Sequence, residues 1–184
     1  MTLPNAIPEY NFHKTKYGAE LLIDIVALKN IKKYLPQKLL HRLTYYDITF
    51  ITEGEGHFSI NEQEYPVKTR DVIFTRPGDY RQWDVKGIKD GVALIFEEEF
   101  LLTFFNDMNF LKNIAFFNAQ GNRALFYSTR KNIYSSANYW GKLKRKSVII
   151  NIKTSIYSAL FCIRCLNIWT ESILKKHLVS PIIL

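Results

Sequence analysis

Short apolar segments separated by turn residues recur along the first half of the chain, at the spacing of about 8–12 residues that is typical of β-barrels and β-sandwiches. They are rich in β-branched and aromatic residues, which favour strands. The predicted strands lie within 20–28, 45–52, 57–60, 61–71, 71–75, 80–85 and 92–97, with turns at Gly54–Gly56 and Pro77–Gly78. No helix-length pattern separates these strands, which argues against the βαβ units of a parallel sheet. The sequence therefore predicts an all-β barrel or sandwich.

Segments of different character flank the predicted strands. Residues 1–18 contain two prolines and little periodicity, so we expect an extended N-terminal arm. Residues 29–40 are basic and interrupted by a proline, which predicts a loop. After the last strand, acidic residues precede an apolar run, as in the first turn of a helix, where acids complement the helix dipole. The chain thus divides into the arm, a β-barrel at 19–118 and a helical segment at 119–184.

The helical segment contains apolar residues at steps that alternate between three and four, the pattern of one stripe on a long helix. The series is Ile149, Ile152, Ile156, Ala159, Ile163, Leu166, Thr170 and Ile173. A second apolar stripe would face the barrel, so the first stripe needs another partner. We expect it to pair two copies of the chain into a homodimer, with the interface candidates Ile149, Ile152, Ile156, Ile163 and Leu166. The alternative is a helix buried within one chain.

The net charge of +8 arises in the last third of the chain. Residues 120–184 hold eleven of the 25 Lys and Arg residues but a single acid, Glu171. The stretch 130–146 interleaves basic residues with Tyr139 and Trp140. One interpretation is a surface for DNA or another polyanion. The other, which we favour, is a solvated helix face.

Several functional classes lack their sequence signals. The N-terminus has no basic start or apolar core of a signal peptide, and no apolar stretch approaches the ~18 residues that span a bilayer. Two cysteines cannot form a disulfide framework and fit a reducing compartment. Cys162 and Cys165 lie in the predicted helix without the further ligands that zinc needs. Nucleophile elbows, metalloprotease motifs and phosphate-binding loops are missing from the sequence. We therefore expect no catalytic residues, no metal and no cofactor.

One face of the predicted strand at 41–51 carries charged and aromatic residues. Side chains at odd positions share this face because strands alternate, and they are His41, Leu43, Tyr45, Asp47, Thr49 and Ile51. Arg81 and Trp83 share a face of a later strand in the same way. Turned inward, these faces would line a pocket for one small ligand. The alternative inward face is more apolar and consists of Tyr46, Ile48 and Phe50.

An ordered series of aromatic, glycine and turn residues runs through residues 41–85. Its members are His41, Tyr45, Tyr46, Gly54, Gly56, Tyr65, Asp71 and Pro77–Gly78. This series resembles the sensor domain of AraC-family transcription regulators, and the resemblance covers roughly residues 5–118. It implies a cupin-like barrel (a double-stranded β-helix or jelly roll) that binds an effector, followed by helices that pair two subunits.

The chain departs from the metal-binding members of the cupin group at three positions. Those proteins use two histidines spaced His-x-His, a glutamate and a later histidine. In this chain His41 occupies the first histidine position, but Leu43 replaces the second histidine, Asp47 the glutamate and Arg81 the later histidine. A guanidinium has no lone pair to offer a metal, so a metal site is not expected. Asp47 and Arg81 could instead form a buried ion pair or hold a polar ligand between them. Arginine suits a carboxylate, and aspartate suits sugar hydroxyls.

We therefore expect a small-molecule-sensing and dimerisation domain of a bacterial AraC-family regulator, cytoplasmic and not an enzyme. The pocket candidates are His41, Tyr45, Asp47, Arg81 and Trp83. In this family two helix-turn-helix units normally follow, and nothing in residues 120–184 resembles them, so we expect DNA binding only through a domain outside this chain. The alternatives are a stand-alone cupin protein or enzyme, and a domain that binds a polyanion through its basic last third.

Overall fold

The computed structural model describes residues 7–15, 20–32, 40–84, 86–102 and 125–127, and over them the chain is mainly β, as predicted. In chain order the described elements are β1 Glu9–Tyr10, β2 Ile23–Ala27, α1 Leu28–Lys32, β3 Arg42–Leu43, β4 Tyr46–Ile60, β5 Gln63–Lys68, β6 Asp71–Thr75, β7 Arg81–Trp83, β8 Ile88–Phe96, α2 Glu98–Leu102 and β9 Leu125–Tyr127. Neither of the two described helices has the length and apolar character needed to cross a membrane.

Strand β4 is the centre of the sheet. Its first half pairs antiparallel with β6 on one side and with β8 on the other. Its second half pairs antiparallel with β5 and, near its end, with β7. The order is β2-β8-β4-β6-β9, and β5 and β7 both attach to β4. One strand therefore holds the two parts of the sheet together.

A bulge interrupts β4 between its two halves. The register with β8 shifts twice there, between Ile51 and Glu53 and between Glu53 and Gly54. Gly54 has φ of 110°, a conformation that side chains rarely adopt. A Cβ at this position would overlap with the carbonyl oxygen of Gly87. The predicted turn at this glycine pair is therefore wrong, because the glycines belong to a bulge that bends a continuous strand.

The apolar core lies between the two halves of the sheet, in a space that we call the barrel interior. Its buried members are Leu28, Ile51, Phe58, Ile60, Val67, Ile73, Trp83, Ile88 and Ala93. Most of these residues come from both halves of β4 and from the strands that pair with them, so the halves face each other across the core. The first half of β4 is buried on its other face as well, since Tyr46, Ile48 and Phe50 are no more than 8% exposed.

The described part of the N-terminal arm packs along β3. β1 pairs in parallel with β3. The Arg42 amide donates a 3.0 Å hydrogen bond to the carbonyl oxygen of Pro8. The Thr44 amide donates one of 3.1 Å to that of Tyr10. Phe12 is buried. The arm is thus extended, as predicted, and it also adds aromatic side chains to the surface of the barrel.

One short helix forms where the basic segment 29–40 predicted a loop. Helix α1 directly follows β2. Leu28 is buried in the core and Ile31 packs against it. Burial of these two apolar side chains, three residues apart on one helix face, stabilises a turn of helix that the charge pattern had obscured.

The domain boundary at residue 118 stays a prediction, although one described strand lies beyond it. Strand β9 pairs antiparallel with β6, although it falls within the segment 119–184 that was predicted to be helical. Helix α2 confirms the start of the predicted helix after the last strand of the barrel. The rest of the helical segment, including the interface candidates from Ile149 to Leu166, lies outside the described residues.

The bulge can be tested with two alanine substitutions. Gly54→Ala should lower the free energy of unfolding by about 3 kcal/mol, because backbone strain adds to steric overlap. Gly78→Ala should cost about 1 kcal/mol, because Gly78 has φ of 82° but open space where its Cβ would lie. Urea unfolding monitored by circular dichroism measures both. Equal losses in the two variants would show that the close approach at Gly54 is not formed.

Candidate functional site

A buried ion pair joins the two halves of the sheet. Arg81 Nη1 lies 2.6 Å from Asp47 Oδ2, and both side chains are 6% exposed. Asp47 is at the start of β4, whereas Arg81 pairs with Ile60 at the end of β4. A straight strand would separate those two ends by about 43 Å, at roughly 3.3 Å per residue. The contact therefore exists only because β4 bends around the core.

Two threonine hydroxyls extend this ion pair into a network. Thr75, the last residue of β6, accepts a 3.0 Å hydrogen bond from Arg81 Nη1. Thr49 donates a 2.6 Å hydrogen bond to Asp47 Oδ1. Both threonines are buried. Hydrogen bonds to charged groups are stronger than those between neutral groups, so they offset part of the cost of removing the two charges from water.

Aromatic rings surround the guanidinium group. Its central carbon lies 5.3 Å from the ring centroid of Trp83 and 5.6 Å from that of Phe58. The two rings contact each other edge to face, with centroids 5.0 Å apart. At these distances a cation is attracted to the ring faces. Arg81 is therefore held on one side by a carboxylate and a hydroxyl and on the other by aromatic rings.

Two further pocket candidates connect the site to the N-terminal arm. His41 exchanges backbone hydrogen bonds of 3.0 and 2.8 Å with Arg81, and its ring meets that of Tyr10 edge to face, with centroids 5.4 Å apart. Tyr45 meets Phe12 in the same way at 5.6 Å. Burial raises the pKa of Tyr45 to about 12, and the carboxylate of Asp47 adds to the rise. The phenol therefore stays neutral at physiological pH.

The structure brings the predicted pocket residues together in part. Asp47, Arg81 and Trp83 meet in the barrel interior, while His41 and Tyr45 lie where the arm packs. Their role as ligand contacts stays a prediction.

Thr75 and Phe58 belong to the same site but were not among the candidates. Thr75 had a usable signal, since it is a polar residue in phase with Ile73 that directly follows the apolar run 72–74. Phe58 had none, because the predicted turn hid its strand register relative to Asp47.

The donor set of the site does not favour a metal. Within the described residues, no three His, Cys, Asp or Glu side chains are grouped as metal ligands. The group that faces Asp47 is the guanidinium of Arg81, which cannot coordinate a cation. What the arrangement offers chemically is hydrogen bonding and ring contact.

Comparison with solved structures finds distant similarity. The crystal structure of the AraC-like transcriptional activator CuxR is 11% identical to this chain and aligns with 79% of it, with a TM-score of 0.45. AraC-like regulators are thus among the solved structures to which this chain is similar. ToxT from Vibrio cholerae, bound to (E)-4-(8-methylnaphthalen-1-yl)but-3-enoic acid, is 8% identical and aligns with 80%, with a TM-score of 0.40. The chain spans 52% of the length of CuxR and 57% of that of ToxT.

Proteins of other functions are similar over a smaller part of the chain. An oxalate decarboxylase from Bacillus subtilis is 13% identical and aligns with 49% of this chain and 30% of its own, with a TM-score of 0.26. No protein-family model and no curated protein matches the chain.

A double-mutant cycle measures the energy of the buried pair. Asp47→Asn and Arg81→Met should each lower the free energy of unfolding by about 3–5 kcal/mol, because each leaves its partner charged and buried. The double variant should lie within about 1 kcal/mol of the wild type, since it buries no charge. Chemical unfolding of the four proteins gives the coupling energy.

The control is the exposed ion pair between Lys89 and Glu53, whose side chains are 68% and 65% exposed. Glu53→Gln should cost less than about 0.5 kcal/mol. Additive losses at Asp47 and Arg81 would contradict a direct pair.

Proposed function

We propose that this chain senses a small molecule in its barrel interior and is part of a bacterial transcription regulator of the AraC type. The observation that carries the proposal is the buried Asp47–Arg81 pair. A well-packed apolar core of the same volume would be at least as stable, so the pair is not explained by stability. Convergent polar groups within an apolar enclosure are characteristic of ligand sites. The series of residues that resembles AraC-family sensor domains supports the same assignment.

The signal would pass from the barrel to the arm. Arg81 is bonded through its backbone to His41, whose ring contacts the arm at Tyr10. The arm in turn reaches helix α2, since Lys14 Nζ donates a 3.0 Å hydrogen bond to Glu99 Oε2. An effector that fits one arrangement of these groups better than another shifts the population toward it. In the intact regulator this shift would reposition DNA-binding domains that lie outside this chain.

We further propose that the protein is cytoplasmic, binds its effector without transforming it, and forms a homodimer. The apolar stripe from Ile149 to Ile173 supports the dimer, because its alternating steps match helix-to-helix packing. The replacement of a metal-binding histidine by Arg81 supports binding rather than metal-dependent catalysis.

Ligand sensing can be tested by a thermal-shift screen of sugars, small carboxylates and aromatic compounds on the full chain. A true effector at 100 times its Kd should add about 2.7 kcal/mol of stability. Its effect should disappear in Arg81→Met and persist in Glu53→Gln. Hydrogen exchange at the amides of Arg42 and Thr44, which are bonded to the arm, should change when it binds. A thermal shift that survives in Arg81→Met would place the compound outside the proposed site and contradict the proposal.

The dimer can be tested separately by sedimentation velocity. Ile156→Asp should convert the dimer to a monomer, because it puts a charge into the centre of an apolar helix contact. Ser158→Asp, which adds the same charge outside both apolar stripes, should leave the dimer intact. If Ile156→Asp remains dimeric, the interface assignment is wrong.

A further inference from the structure

Two buried hydrogen-bond donors in the site are not used by its network. The network accounts for Arg81 Nη1 and for both carboxylate oxygens of Asp47. In the described part of the chain, neither Arg81 Nε–H nor Trp83 Nε1–H meets an acceptor. The two residues are only 5% and 6% exposed. A buried donor without a partner costs free energy comparable to a lost hydrogen bond, so an acceptor is expected opposite these groups.

The charge balance of the site decides what kind of acceptor fits. Asp47 already compensates the charge of Arg81, so the pair is neutral as a unit. A carboxylate added beside it would leave one uncompensated negative charge in an apolar interior, which is strongly unfavourable. It would also compete with Asp47 for the same guanidinium. An uncharged oxygen acceptor satisfies the free N–H groups without either penalty.

We propose that the site binds an uncharged compound of the amide or carbonyl class. Its oxygen would accept hydrogen bonds from Arg81 Nε and Trp83 Nε1, and its apolar part would contact the rings of Trp83 and Phe58. Arg81 and Trp83 lie two residues apart on β7, so their side chains are on one face and the two donors belong to one site. This inference rests on the proposed function, because it specifies the ligand of the sensing site.

The experiment compares amides with carboxylates of the same skeleton, using the full chain at neutral pH. The probe pairs are acetamide and acetate, propionamide and propionate, and benzamide and benzoate. Calorimetry or ligand-detected NMR should give at least tenfold tighter binding for the amide of a pair. Trp83→Phe, which keeps a ring but removes the donor, should weaken amide binding about fivefold. Tyr80→Phe, at an exposed ring next to Arg81, should leave it unchanged.

Asp47→Asn removes the charge that compensates Arg81, so it should reverse the order of affinities between amides and carboxylates. Without the aspartate charge, the guanidinium is uncompensated, and the carboxylate of each pair should gain at least tenfold over the amide. If this variant does not fold, the comparison of amides with carboxylates in the wild type and in Trp83→Phe still decides the ligand class.

The outcomes separate this inference from the proposed function. Carboxylates that bind the wild type as tightly as amides would overturn the ligand class and leave ligand sensing standing. Amide binding unaffected by Trp83→Phe would overturn the role of the indole donor and hence the proposed pose. No binding of any probe to the wild type or to Asp47→Asn would mean that the donors are met by water alone, and would overturn the binding site itself.

Discussion

The bend in β4 at Gly54 is the constraint on which the rest of the structure depends. A single strand runs through both parts of the sheet, so a straight β4 would leave Asp47 and Ile60 far apart and Asp47 without Arg81. The bulge folds the strand around the core, and the side chains of its two halves then face one another. Since the backbone at Gly54 lies against that of Gly87, the space that a side chain would need is occupied by the neighbouring strand. The core and the polar network thus share one geometric origin.

The polar network has an energetic cost that the core must offset. Removing a carboxylate and a guanidinium from water costs several kcal/mol for each ion, and the attraction between them returns this only when their remaining hydrogen bonds are met. In this site each carboxylate oxygen accepts a hydrogen bond, from Arg81 or Thr49, while Nε–H of the guanidinium has no acceptor among the described residues. This unmet donor is the observation behind the proposed acceptor ligand.

Local sequence predicts the strands but not how they pair. The strand at 71–75 is found with its predicted bounds, because its apolar residues end at a Pro77–Gly78 turn. A glycine at position 54 is compatible with a turn and with a β-bulge. Only the close approach of the distant segment at Gly87–Lys89 distinguishes the bulge from the turn. The face of β4 that turns toward the barrel interior could not be chosen from sequence either. Ile48 and Thr49 lie on opposite faces of the strand, and both are about 1% exposed, so burial does not distinguish the two faces. The choice depends on Arg81, 34 residues away from Asp47.

The described part of the N-terminal arm is held to the barrel by a small number of contacts. Among the described residues, its contacts with the barrel are a two-residue strand, a few backbone hydrogen bonds, two edge-to-face ring contacts, the buried ring of Phe12 and an ion pair between Glu9 and Arg42. The hydrogen bonds and ring contacts contribute about 1 kcal/mol net each, and burial of Phe12 adds about 2 kcal/mol. Its ion pair with Glu99 is exposed, and such pairs add little. The sum of a few kcal/mol is comparable to the differential binding energy of about 5.5 kcal/mol that reverses a two-state equilibrium from 1:99 to 99:1. Under the proposed function, a ligand that disturbs the packing of Tyr45 and His41 would act on this attachment rather than on the core strands, which are bonded on both sides.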